Sequence, residues 1–170
     1  MGLFETLRRN GKGATCASAE TDDLAGCLTL LSASELLAPH QPALRNIRQQ
    51  VGVPDAHWDA LYRPLFERFA LFAQRLPASE AHHHRQAGGL LTHTIDVTLK
   101  ALTIRRGVLL PSHASAEELA EKQDVWTYGT VSAALLHDLG KPVVDQIITR
   151  YDVGGRILGH VQAPIEVRVV

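Results

Sequence analysis

Imidazoles, and one carboxylate placed beside an imidazole, dominate the chemistry available to this chain. His82, His83 and His84 are consecutive, His93 follows, and His137 is joined directly to Asp138. With His113, six of the nine histidines fall within 56 residues. The His137-Asp138 pair closes an apolar run, Ala133-Ala134-Leu135-Leu136, and Leu139-Gly140-Lys141-Pro142 follows it. Imidazole and carboxylate groups are costly to place on a buried helix unless something satisfies them. A bound metal ion is the simplest partner for such a set, and it points to phosphate chemistry.

His93 belongs to a second apolar segment. Leu90, His93, Val97, Ala101 and Ile104 recur in steps of three and four and share one helix face. Leu91, Ile95, Leu99 and Leu102 line a neighbouring face, so a largely buried helix is expected. A single histidine on an apolar face is most simply a satisfied core residue, but a second core helix ending in His-Asp shifts the balance towards ligation. Two neutral imidazoles and a carboxylate suit Mn, Fe, Zn or, less well, Mg. Such an ion keeps positions for water and a phosphate oxygen, where it lowers the pKa of water and neutralises phosphoryl charge. Lys141 has two readings, a phosphate contact at the helix exit or a cation near the freed C-terminal carbonyls.

These residues need helices to hold them, and the pattern supplies several. Ser32-Ala33-Ser34-Glu35 has capping-box spacing and opens a short helix through Leu37. Pro42 sits in a first turn, Leu44, Ile47 and Val51 continue at helical spacing, and Gly52-Val53-Pro54 breaks the helix. Asp55 is expected to cap the next segment, whose apolar stripe is Leu61, Leu65, Phe69 and Phe72, with Trp58 and Tyr62 as core aromatics. Pro64 predicts a kink there or two shorter helices. Pro77 is expected to stop this helix, Gly107 and Pro111 to end the one bearing His93, and Asp124 or Thr127 to start the one reaching His137. Ser115-Ala116-Glu117-Glu118 again has capping-box spacing, and Gly140 is placed to terminate the last helix. Ile147 to Tyr151 and Arg156 to Leu158 flank Asp152-Val153-Gly154-Gly155 and predict a β-hairpin. The fold class is therefore mainly α, a helical bundle with a small C-terminal β-hairpin.

Bulk properties exclude some functions. An apolar content of 45% and charged content of 21% are those of an ordinary soluble globular protein. The net charge of −1 supplies no global basic field for nucleic acid, so any DNA contact needs a local patch. The arginines between Arg45 and Arg106 read most simply as solvated helix faces. Cys16 and Cys27 make no disulfide framework and read as thiols of a reducing cytoplasm. The longest uninterrupted apolar run, Phe69 to Ala73, is far short of the ~20 residues of a membrane helix. A soluble, cytoplasmic protein with no membrane partner is expected.

A lone His followed by His-Asp on a helical bundle resembles the HD superfamily of metal-dependent phosphohydrolases. Three stretches narrow the resemblance: Leu76 to His84 with its triple histidine, Ala87-Gly88-Gly89-Leu90-Leu91-Thr92-His93-Thr94, and Ala133 to Pro142. Together they are similar to the MobH-type conjugative relaxases, in their TraI-like N-terminal domain. The resemblance runs from about Leu28 to Gly159 and includes Trp126-Thr127-Tyr128 and the Tyr151-Asp152 hairpin. It implies a metal-dependent enzyme that nicks one DNA strand at a transfer origin, in concert with other conjugation proteins, for transfer of a plasmid or integrating element. It also implies that His82, His83 and His84 are the family's triple-His signature, with His93, His137 and Asp138 as the HD metal ligands. The residues alone leave the triple histidine open between a metal or phosphate contact and an accidental surface cluster.

The chain departs from that pattern in two ways. The HD superfamily has a fourth ligand, an Asp on a later helix, and only Asp145 and Asp152 remain here. Residues 160–170 no longer resemble the family. The expected organisation is a flexible arm over 1–27, an incomplete HD-type domain over 28–159 and a divergent tail over 160–170, as in a truncated chain. Two alternatives stand beside the relaxase: an HD phosphohydrolase acting on a nucleotide or phosphate ester, and an inactive remnant. No tyrosine is assigned as nucleophile, and the chain contains no G-x-x-x-x-G-K-[S/T] loop for a helicase nucleotide.

Overall fold

The computed structural model describes residues 6–9, 28–78, 86–144, 148–152 and 154–161, and they form two compact units. One unit, residues 31–138, is helical. Its first helix, α1 (Ala33–Leu37), opens on the expected capping box: Ser32 Oγ accepts the Glu35 N–H at 3.3 Å, and Glu35 Oε2 accepts the Ser32 N–H at 2.9 Å. A 3-10 turn (Ala38–His40) leads into α2 (Gln41–Val51), which buries Leu44, Ile47 and Val51. Gly52 ends α2 at φ +70, in the left-handed region that glycine enters without steric cost.

The next segment runs continuously through α3 (Asp55–His57), a π-helical turn (Trp58–Tyr62) and α4 (Arg63–Ala73). Pro64 lies in the first turn of α4, so the segment is divided into shorter elements as expected, and the wide turn just before it has the Arg63 N–H reaching back five residues to Trp58 O. That extra residue shifts the phase of the buried face. Trp58, Tyr62, Phe66, Phe69, Ala70 and Ala73 are buried, whereas Leu61 and Phe72 are exposed and Leu65 is half-buried. Of the expected stripe Leu61, Leu65, Phe69 and Phe72, only Phe69 is fully in the core, while Trp58 and Tyr62 are core as expected. Asp55 does not cap α3; it is the first helical residue and its carboxylate pairs with Arg48.

The helix ends at Ala73, before Pro77 could stop it. Gln74 leaves the helix at φ +45 and buries its amide against Leu31, accepting its N–H at 3.0 Å and donating to its carbonyl at 3.1 Å. Helix α5 (Gly89–Arg106) follows, its start tied back by Gly88 N–H to Arg75 O at 2.8 Å and Leu90 N–H to Leu76 O at 3.0 Å. Leu90, Leu91, Ile95 and Leu102 are fully buried, though Ile104, expected on the apolar face, is exposed in the last turn. Helix α6 (Ala116–Leu136) starts at the Ser115 cap, not at Asp124 or Thr127: Ser115 Oγ accepts the Glu118 N–H at 3.2 Å. Val131 and Leu135 of α6 are fully buried, and α5 and α6 form an extensive helix pair. Each such buried side chain contributes roughly 1.5–3 kcal/mol of hydrophobic stabilisation. A turn, His137–Gly140, ends the helix.

The other unit, residues 1–30 and 139–170, carries α7 (Lys141–Val144) and an antiparallel sheet. Strands β3 (Ile148–Tyr151) and β4 (Ile157–Val161) form the expected hairpin. The sheet extends beyond it: β1 (Thr6–Arg9) pairs with β3 in the register Thr6 to Tyr151 and Arg9 to Ile148, and β2 (Leu28–Thr29) pairs with β1. Among the described residues, no helix is long and apolar enough to cross a membrane.

Candidate metal centre

Helix α5 presents His93, and the turn that closes α6 presents His137 and Asp138. Among the described residues these three form a group that could hold a metal ion, with one ligand atom from each within 4.8 Å of the others. Asp138 Oδ2 lies between the two imidazoles, 3.4 Å from His93 Nε2 and 3.3 Å from His137 Nε2. The two rings sit 5.3 Å apart, centroid to centroid, tilted by 54°.

The tautomer of His137 follows from its backbone contact. Its Nδ1 lies 2.8 Å from Ala134 O, and a carbonyl only accepts, so Nδ1 carries a proton and donates it. In the neutral ring Nε2 then holds a lone pair directed at a carboxylate oxygen. That juxtaposition is repulsive unless a proton or a cation lies between them. Carrying such an orienting hydrogen bond on the second nitrogen is the usual arrangement of a ligating histidine. Sequence reasoning did not single out the Ala134 carbonyl, yet its position three residues back, at a helix end where carbonyls lack partners, was a usable signal.

The two separations to Asp138 match those of ligands sharing one ion. Charge-assisted N–H to carboxylate bonds run about 2.7–2.9 Å. Two ligand atoms each about 2.1 Å from a common ion lie about 3.0–3.4 Å apart for near-octahedral to near-tetrahedral angles. The observed 3.3 and 3.4 Å fall in the second range. Accessibility is one-sided: the Asp138 side chain is 11% exposed, those of His93 and His137 29% and 35%. A cation here would be anchored from the protein side and open towards solvent.

The remaining candidates are placed as follows. His82, His83 and His84 lie outside the described residues, as does Asp145. Lys141 is the first residue of α7 and so opens a new helix in the other unit. Asp152 is committed to the hairpin turn, where its Oδ1 accepts N–H groups from Gly154 and Arg156, both at 2.9 Å. The Arg156 N–H leads in holding its carboxyl below the usual aspartate value. His113 is exposed, at φ +70 in the connection before α6. Tyr62 and Tyr151 are buried, and Tyr128 lies in the middle of α6, not at its start, edge-on to Tyr62 at 5.3 Å.

The family model TraI_2, described as "Putative helicase", matches residues 26–166. No curated protein and no solved structure matches the chain.

Proposed function

The chain belongs to the TraI_2 family, and from that premise we propose that it is a relaxase-type HD domain that nicks one strand of DNA in conjugative transfer. The observation that carries the reading is Asp138 Oδ2 held between two imidazole Nε2 atoms at 3.3 and 3.4 Å, with one ring's tautomer fixed by a backbone carbonyl. His93, His137 and Asp138 would hold a divalent ion, Mn, Fe, Zn or Mg. When bound, that ion supplies an acidified water and charge neutralisation at a phosphoryl oxygen. The chain's own contribution is orientation. Ala134 O locks the His137 ring, α5 delivers His93 from a packed helix, and the exposed side of both rings leaves room for a phosphodiester. His82, His83, His84 and Lys141 are proposed as further contacts to the strand being cut, within an HD-type domain over 28–159. On this reading the protein works in the cytoplasm with DNA at a transfer origin and other conjugation proteins.

Helicase activity is not proposed, because these 170 residues contain no nucleotide-binding G-x-x-x-x-G-K-[S/T] loop. The net charge of −1 favours one competing reading, a phosphohydrolase acting on a free nucleotide or phosphate ester. A single assay separates the two. Purified protein is incubated with Mn²⁺ and supercoiled plasmid carrying the transfer-origin region of its element, and separately with nucleoside monophosphates and an activated phosphodiester. Nicked circles formed by the wild type, but not by His137→Ala, are expected. Phosphate release from nucleotides with intact plasmid would replace the relaxase by the nucleotidase.

A further inference from the structure

Three arginines that read as solvated surface in the sequence meet in the structure. Arg45 and Arg48 of α2 and Arg63 at the start of α4 line one cavity of about 370 Å³, together with Gln41, Trp58 and Glu67. The π-helical turn makes this possible. Residues five apart on an ordinary α-helix diverge by about 140°, but the five-residue Arg63 to Trp58 bond sets the two nearly one above the other. None of the cavity's lining residues belongs to the histidine-aspartate group.

The guanidinium groups have donors to spare. Arg48 pairs with Asp55, whose side chain is 83% exposed, and Arg63 pairs with the half-exposed Asp59 at 2.6 Å. Exposed ion pairs of this kind are weak, and each guanidinium has five N–H donors. Arg45 is exposed and makes no ion pair among the described residues. Several planar guanidinium forks around one space suit a tetrahedral oxyanion. Trp58 sets a limit on what else is recognised. One of its neighbours is Tyr62, stacked at 5.4 Å and 6°, and the Arg48 guanidinium lies over its ring at 5.9 Å. Only 6% exposed, the indole offers an edge and no platform for stacking a base.

We propose that this cavity binds the backbone phosphates of a single DNA strand without reading its bases. The phosphate recognition stands on the arginine geometry; the choice of a DNA strand rests on the relaxase reading. The test uses the full chain in EDTA, so that the metal centre plays no part. Fluorescence anisotropy follows labelled oligo(dT) and oligo(dA) of about twelve nucleotides, within the usual single-strand site sizes. Expected are equal affinities for the two oligomers and a loss of about tenfold or more in Arg45→Glu. In Arg63→Gln, the slope of log K against log salt should be shallower by about 0.7. Arg68→Glu, the same charge change on an exposed face of α4 outside the cavity, should stay within about twofold of wild type. Because any ion is chelated throughout, failure of the metal reading leaves this result standing. Equal losses in Arg45→Glu and Arg68→Glu, or no strand binding by the wild type, would overturn the proposal. Competition by thymidine monophosphate at the same concentration as the strand would keep the phosphate site but overturn its assignment to a DNA strand.

Discussion

Helix α6 holds polar groups at two places in opposite ways. Near its middle, Tyr128 meets the Trp58-Tyr62-Phe66 stack, and the Tyr62 hydroxyl is buried with no hydrogen-bond partner among the described residues. At its end, nine residues and roughly 14 Å further along, His137 and Asp138 meet His93, and each polar group faces another. In the first region ring packing decides the arrangement and the hydroxyl is carried along. In the second, two imidazoles and a carboxylate face one another, an arrangement that a shared cation would satisfy. Polar side chains are therefore informative here by their partners, not by their burial.

The contrast can be broken from the aromatic side first. Tyr62→Ala empties a fully buried site and should cost about 3–5 kcal/mol in urea unfolding, while divalent-ion uptake per folded chain stays at the wild-type level. A cost below about 1 kcal/mol, or a parallel loss of ion uptake, would show that the two regions are not distinct. A smaller effect is expected of Tyr62→Phe. Burial, with Asp124 and Tyr128 adding, pushes the Tyr62 hydroxyl from 10.0 up to about 12. A phenol with a raised folded-state pKa contributes stability that is fully present below pH 10 and is lost as pH rises towards 12. Tyr62→Phe should flatten that alkaline decline in a pH series of melts, and an unchanged profile would place the hydroxyl in water. The smallest effect belongs to the far end of α6. Ser115→Ala removes the cap and should cost about 1 kcal/mol, with neither region altered.

Much of the helical unit was legible. Both serine-led capping signals mark real helix starts, Trp58 and Tyr62 are core, and His93, His137 and Asp138 come together from separate helices. The misses have local or long-range causes. A 3.6-residue period continues through residues 58–62, where the chain inserts a π turn, so of the expected stripe Phe69 is buried, Leu65 is half-buried, and Leu61 and Phe72 face solvent. The pattern points to Asp124 or Thr127 for the start of α6 because residues 116–126 are mostly solvent-exposed and show no apolar stripe, although the Ser115 cap is visible. Strand β1 pairs with β3 across more than 130 residues of chain, a register that no local pattern encodes. The arginine cavity is invisible in the sequence for a related reason: Arg45 and Arg48 of α2 and Arg63 of α4 line one space only once the chain has folded.

The central claim is that His93, His137 and Asp138 form one divalent-ion site, and direct metal titration tests it. Purified, chelator-stripped protein is titrated with Mn²⁺ and Zn²⁺ by calorimetry, followed by thermal melts with and without the ion. The wild type should bind one ion per chain and melt higher with it. His93→Ala and Asp138→Asn should each weaken binding by on the order of a hundredfold and abolish the metal-dependent rise in Tm. Unchanged binding in both variants, or no binding by the wild type, would contradict the account.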